Sequence, residues 1–303
     1  MKVPRTVVSG GTGCVGRFVV GHLLDEGHRI TVTGRNRPAE GFFGGPVDFA
    51  HDNLEPEEDQ RTTFAGADFF VHCAFDHLPG SYRGGEGEDP DGFRRRNLDA
   101  TLARFRQARA AGVKRAVFLS SRAVYGGEPQ EAALTEETQP HPDTLYGEVK
   151  LAAERGLADL ATETFQCISL RLTGVYGPPP PGHDHKWAGI IADHLAGKRV
   201  APRIGTEVHG EDVAWAVQIA LTASLADPHE VFCVSDIPVD RADILAIVNS
   251  VAGIARPVPE RADPAALRAM SCAKLRSYGW HPGGRPLLEA LVRELATAVM
   301  AER

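Results

Sequence analysis

Residues 10–16 read Gly10-Gly11-Thr12-Gly13-Cys14-Val15-Gly16. They stand directly behind a β-branched run, Thr6-Val7-Val8, and lead into Val15 to Leu24, whose apolar residues recur at helical spacing. Gly10, Gly13 and Gly16 give the pattern G-x-x-G-x-x-G. Between a strand and a helix each glycine has a task. One takes the tight turn, one lets the backbone approach a pyrophosphate, and one lets the helix pack closely on the strand. The helix start then offers free N–H groups and a positive dipole end to phosphates. A glycine pattern alone says little. In this setting it reads as a dinucleotide seat, with Gly10, Thr12, Gly13, Cys14, Val15 and Gly16 as candidate contacts.

The alternation of strand and helix continues outward from this turn. Ile30-Thr31-Val32-Thr33 predicts a second strand, Pro46 to Phe49 a short third, and the unbroken apolar run Phe69-Phe70-Val71 a fourth. Asp91 to Ala111 predicts a long helix closed by Gly112, Ala116 to Leu119 a fifth strand, Thr144 to Leu160 a helix, and Cys167 to Leu170 a sixth strand. Such alternation implies an α/β chain with a doubly wound parallel sheet of the Rossmann type. The run Pro178 to Pro181 can continue neither a helix nor a central strand. The expected organisation is therefore a dinucleotide-binding domain over residues 1–177, rejoined by 206–236, and a smaller substrate lobe from 178–205 and 237–303. Gly210 to Ser224 reads as a helix and Val231 to Val234 as a strand. Asp76 to Gly92, rich in glycine and acid, follows the fourth strand and reads as a solvated loop or a lid at the ligand edge.

Composition narrows the function classes. A chain of 303 residues, 43% hydrophobic and 24% charged, can bury a large core. A net charge of -7 argues against a nucleic-acid partner. The five cysteines form no C-x-x-C pair and read as reduced thiols. No cleavable leader and no run near the ~20 apolar residues of a membrane helix is visible, so a soluble cytoplasmic protein without a membrane partner is expected. His183, His185 and His194 read as loop residues, and no metal is expected. Trp215 and Trp280 read as packing residues.

The end of the second strand should meet the adenosine ribose. An acid there would accept from a 2′-hydroxyl. Gly34 stands there instead, followed by Arg35-Asn36-Arg37. Removing the carboxylate and adding guanidinium groups suits a 2′-phosphate, so NADP is expected ahead of NAD. Asp52 and Asn53 follow the third strand, in reach of the adenine edge.

Tyr146-Gly147-Glu148-Val149-Lys150 sets a phenol and an ammonium four residues apart, on one helix face. A tyrosine near its ordinary pKa of ~10 is a poor base at neutral pH, and an adjacent cation favours the phenolate. The lysine can also hold the nicotinamide ribose. Ser121, at the carboxyl end of the fifth strand, can bond the substrate oxygen whose proton Tyr146 moves.

These segments resemble the extended short-chain dehydrogenase/reductase family, also called the NAD-dependent epimerase/dehydratase family. The likeness runs through Gly10 to Gly16, His72-Cys73-Ala74, Asn97, Ser120 to Gly126, Tyr146 to Lys150, Arg171 to Pro178, Asp212-Val213-Ala214 and Tyr278 to Pro282. It implies that Ser121, Tyr146 and Lys150 are catalytic, that Ser120 and Ala74 lie beside the cofactor, and that Asn97 organises the long helix. It implies hydride transfer between nicotinamide and a hydroxyl or carbonyl carbon. Members acting on nucleotide sugars usually carry Asn at the position of Gly174 and Arg near Gly205. Neither is present, although Lys198, Arg199 and Arg203 are close in sequence. A smaller substrate (sugar, sugar acid, ketone or aldehyde) is therefore expected, with a nucleotide sugar as the alternative. A non-catalytic dinucleotide sensor on the same fold is the rival of another class, and such proteins tend to lose the tyrosine or the lysine. A homodimer through helices 91–111 and 144–160 is expected, with the arginines of the first helix counting against it.

Overall fold

A computed structural model describes residues 3–77, 87–127, 133–264 and 267–301. In chain order the elements are β1 (Arg5–Ser9), α1 (Gly16–Asp25), β2 (Arg29–Gly34), β3 (Asp48–His51), α2 (Arg61–Phe64) and β4 (Phe69–His72). Next, α3 (Pro90–Arg94), a π-helical turn (Arg95–Asp99) and α4 (Ala100–Ala110) run on as one helix. β5 (Arg115–Ser121), a 3-10 turn (Arg122–Tyr125), α5 (Leu145–Leu160), β6 (Gln166–Leu172) and β7 (Gly174–Tyr176) follow. The chain continues through α6 (Ala188–Leu195), β8 (Ile204–His209), α7 (Gly210–Thr222), β9 (His229–Val234), β10 (Ile237–Asp240), α8 (Arg241–Ala252), α9 (Ala273–Ser277) and α10 (Gly284–Ala301).

Seven strands form one sheet in the order β3-β2-β1-β4-β5-β6-β9, with every neighbouring pair parallel. The strand order reverses between β1 and β4, which opens a crevice at their carboxyl ends. Val7, Val8, Val71, Val117 and Ile168 are fully buried, as strands covered by helices on both faces require. The predicted third strand shifts by two residues, to Asp48–His51. Pro46 has no N–H to donate, and the ladder with β2 begins at Asp48 opposite Thr31. Of the predicted lid or loop at Asp76 to Gly92, residues 78–86 lie outside the described residues.

A second, three-stranded sheet has the order β10-β8-β7. With α6, α8 and α10 it encloses its own core of Ile191, Ile244, Leu245, Val248, Leu288 and Val292. Its limits differ from the sequence expectation. β7 precedes the proline run yet pairs with β8, from Gly174 opposite Glu207 to Tyr176 opposite His209. The segment carrying Met270, Cys272, Leu275 and Trp280 packs on the core of the large sheet instead. Trp280 is fully buried and donates its indole N–H to the Asp212 carbonyl at 2.9 Å, which ties the C-terminal segment to α7.

A polar cluster under the crevice joins β1, β3, β4 and α4. Arg104, one of the arginines counted against a dimer, is 1% exposed and forms a two-bond fork with Asp52 at 2.9 and 2.8 Å. Burial alone would raise the Asp52 carboxyl, but the bonds and charge of Arg104 outweigh it and hold it below the ordinary range. Fully buried His72 bonds Ser9 at 2.7 Å and Thr101 at 2.9 Å. Desolvation pushes its pKa down to about 3, which keeps the ring neutral.

Candidate active site

The glycine turn acquires its shape from two close approaches. Gly10 has φ +66° and lies so near β4 that an added Cβ would stand 2.7 Å from the Cα of Ala74. Gly16 lies against the Gly10 carbonyl, where a side chain would overlap backbone. The turn is held by Gly13 N–H on the Gly10 carbonyl at 3.0 Å and by Gly10 N–H on the Thr33 carbonyl at 2.8 Å. α1 starts without a side-chain cap and without an acid in its first turn, so its leading N–H groups remain suited to an anion. Thr12 and Val15 are half-buried, and Gly13 and Cys14 exposed, at its mouth. The residues present therefore fit a dinucleotide pyrophosphate.

Gly34 is the last residue of β2. Arg35 is an exposed side chain, 3.6 Å from Asp76, and the Arg37 guanidinium stands 5.1 Å from the centre of the Phe49 ring. Both can reach a group beyond β2. Asp52 is different from its expected role as an adenine contact. Its carboxylate accepts from Arg104 and from Leu54 N–H at 3.0 Å, is buried, and holds structure. Asn53 beside it is exposed.

The strand β5 and the helix α5 supply the expected catalytic group. Thr144 caps α5 through its hydroxyl on Gly147 N–H at 3.1 Å, which places Tyr146 and Lys150 in the first turns. Lys150 is 4% exposed, and its Nζ donates to the Leu119 carbonyl of β5 at 2.7 Å. It lies 5.8 Å from the centre of the Tyr146 ring. Two residues along the strand from Leu119, the Ser121 hydroxyl accepts from Ala123 N–H at 3.1 Å and starts the 3-10 turn. Ser121, Tyr146 and Lys150 thus share one end of the sheet. Desolvation pulls the Lys150 ammonium down to about 7, against the weaker opposing pull of Cys73 and Glu154.

Ser120 points elsewhere than the expected nicotinamide wall. Its hydroxyl donates to Glu154, whose carboxylate is also forked by Arg171 at 2.7 and 3.1 Å. This buried pair, joined by Tyr125 through Arg171 at 2.8 Å, braces β5 against β6. Asn97 sits on the π-helical turn and clamps Asp76 from both sides, accepting from its N–H and donating to its carbonyl at 2.7 Å each.

That clamp reveals a residue the sequence reading missed. Phe75, directly before Asp76, sets its ring edge-on to Tyr146 at 5.1 Å and 4.2 Å from the Lys150 ammonium. Phe118 lies on the same ammonium at 4.7 Å. The contact joins the segment after β4 to α5 across distant parts of the chain, and no local pattern announces it. Also missed is Glu207, against which Gly174 packs, with Lys186 as its ion-pair partner. Lys186 further donates to the Val175 carbonyl at 2.9 Å. Lys198 pairs with Asp193 at the surface, while Arg199 and Arg203 are exposed. His185 accepts from Trp187 N–H, and His194 bonds Asn249 at 2.7 Å. Among the described residues no three His, Cys, Asp or Glu side chains gather as a metal site.

A family model described as "NAD dependent epimerase/dehydratase family" matches residues 6–234. A UDP-glucose 4-epimerase of Corynebacterium glutamicum is 28% identical over 92% of this chain and 91% of its own. Another, from Halalkalibacterium halodurans, is 26% identical over 94% and 92%. The structure of a Thermus thermophilus UDP-glucose 4-epimerase in complex with NAD superposes with a TM-score of 0.76 at 26% identity, covering 97% of this chain and 99% of that one.

The buried lysine has a measurable consequence. Below about 7 the folded and unfolded chains both carry the ammonium, and the full burial penalty weighs on the fold. From there to the ordinary value of 10.5 the unfolded chain binds the extra proton, so stability rises with pH across that window. Denaturant unfolding of wild type and Lys150→Met should show wild type gaining on the variant between pH 7 and pH 10, roughly the window set by that shift. A constant difference across this range would contradict the assigned environment.

Proposed function

The chain belongs to the NAD-dependent epimerase/dehydratase family, and we propose that it moves a hydride between nicotinamide C4 and a sugar carbon bearing a hydroxyl or carbonyl. The observation that carries this reading is Lys150, buried on the β5 carbonyl next to Tyr146, at the same sheet end as Ser121. Ser121 holds the substrate oxygen. Tyr146 takes or returns the hydroxyl proton. Lys150 supplies positive charge that favours the phenolate and holds the nicotinamide ribose. The dinucleotide supplies the hydride acceptor and donor. Gly10, Thr12, Gly13, Cys14, Val15 and Gly16 seat its pyrophosphate, Ala74 lies alongside, and Asn53 borders the adenine. The sensor alternative has no support in a site that keeps both tyrosine and lysine.

A nucleotide-linked sugar is the substrate class with most support. Relatives named UDP-glucose 4-epimerase are covered over 91% and 92% of their length, so the lobe is not short by comparison. Arg203, exposed just before β8, provides positive charge on the β7–β8 side in place of an arginine at Gly205, while Lys186 is paired with Glu207. A free sugar remains the second reading because Gly174 packs directly on the carboxylate of Glu207. Turnover assays with UDP-glucose, UDP-galactose and the corresponding free sugars separate the two. In whichever series is active, Tyr146→Phe should lower turnover by about 10²- to 10⁴-fold, with cofactor affinity nearly unchanged. Near-normal turnover in this variant would remove Tyr146 from the chemistry.

NADP is proposed ahead of NAD. Gly34 brings no carboxylate to the end of β2, and Arg35 and Arg37 stand exposed beyond it. Fluorescence titration should give NADP(H) the lower Kd, and Arg35→Ala should narrow the gap. Tighter NAD(H) binding by wild type reverses the assignment.

The chain is proposed to work in the cytoplasm as a homodimer. Among the described residues no helix is long and apolar enough to cross a membrane. The arginines of the first helix weigh less against a dimer than their number suggests. Arg104 is buried, and Arg94, Arg95 and Arg96 are paired with acids of the same chain. Light scattering at micromolar concentration should report twice the 32.6 kDa chain mass, and the single mass would rule the dimer out.

A further inference from the structure

Arg268 lies on a segment that runs beside the catalytic end of the large sheet. Leu134 N–H donates to the Ala269 carbonyl at 2.9 Å, and Ser271 N–H to the Leu134 carbonyl at 2.7 Å. The next residue, Cys272, meets Ser235, just past the end of β9. Arg268 itself grips the turn that starts at Ser121. Its Nη1 donates to the Gly126 carbonyl at 2.9 Å, and its own carbonyl accepts from Arg122 Nε at 3.1 Å.

The opposite edge of the same guanidinium is unused. Nε and Nη2 are both buried, and among the described residues neither has a hydrogen-bond partner. Buried polar atoms are nearly always bonded, and a charged donor pair left unmatched is among the costliest exceptions. These two N–H groups point along one edge in parallel. That edge is the fork which accepts two oxygens of a carboxylate or phosphate at once. The turn it grips lies at the carboxyl end of β5, where ligands of doubly wound sheets bind.

We infer that Arg268 is a specificity-determining residue whose Nε–Nη2 edge takes an anionic oxygen group of the substrate, a carboxylate or a phosphate, carried on the side of the reacting carbon that faces the Ser121–Gly126 turn. The inference rests on the proposed chemistry at Ser121 and Tyr146, and adds to it a charge requirement on the sugar.

The test is calorimetric binding to protein saturated with oxidised dinucleotide, using two sets of probes. UDP-glucose against UDP-glucuronate varies a carboxylate on the linked sugar. Glucose against glucuronate and glucose 6-phosphate varies carboxylate and phosphate on the free sugar. In at least one set the anionic member should bind about 10- to 100-fold more tightly than the neutral one, the range expected of a charge-assisted fork. The better of glucuronate and glucose 6-phosphate identifies the group. Arg268→Met should cut the preference to about twofold or less while leaving dinucleotide affinity intact, and Arg268→Lys should restore part of it, since a point charge replaces the fork. A merely structural arginine would change neutral and anionic probes alike, and that result overturns the inference. Equal binding of neutral and anionic probes by wild type overturns it too, as does a preference that survives in Arg268→Met. These failures differ from failure of the underlying chemistry, which Tyr146→Phe reports in turnover and not in the anionic-to-neutral ratio.

Discussion

The approach of Gly10 to Ala74 is the constraint on which the rest of the site depends. Backbone meets backbone there, at the reversal of strand order between β1 and β4, with no room for a Cβ. Because the contact is that close, the start of α1 and the segment after β4 open onto the same crevice. The first carries N–H groups suited to an anion. The second carries Ala74 and then Phe75, whose ring touches both Tyr146 and Lys150. A larger residue at position 10 would push the start of α1 away from the segment that carries Ala74 and Phe75.

Around this contact the fold spends its buried polar groups on alignment. Asp52 and Arg104 lock the end of β3 to α4, His72 ties β4 to Ser9 and Thr101, and Glu154 and Arg171 brace β5 on β6. Each is saturated with partners, as burial in a low-dielectric interior demands. Lys150 is the contrast. It has one carbonyl, two aromatic faces and a pKa brought down to about 7, so its charge sits near balance. Groups poised in this way, beside a tyrosine and at a ligand crevice, mark a working site more than a structural one. Arg268 presents the other kind of imbalance, two buried donors without acceptors among the described residues, on the segment that grips the turn carrying Ser121.

Much of the architecture is legible in the chain because it follows from local periodicity. The parallel strands of the large sheet are apolar runs between helical stretches, and the glycine turn reads directly as strand, loop, helix. Misjudgements occur where pairing, and not pattern, decides. Pro46 sits in an extended-looking stretch but cannot join the ladder, so β3 begins later. β7 and β8 are short, half-buried and separated by a helix, and their sequences show no clean alternation. The small sheet is therefore found only through its pairing. Asp52 reads as an adenine contact and Arg104 as one charge among many on its helix, yet 52 positions of chain separate two groups that neutralise one another in the core.

Sequence by itself determined the family, the doubly wound sheet and the residue types of the expected catalytic group, because these reside in spacings of a few residues: three between glycines, four between Tyr146 and Lys150. Tertiary structure alone decided what each side chain faces. It turned Ser120 to Glu154 and Asp52 to Arg104, and it brought Phe75 onto Lys150 and Glu207 against Gly174. Such contacts join residues tens of positions apart. Their free energy comes from burial and charge pairing that exist only once distant strands and helices have been packed, and no local pattern of residues encodes them.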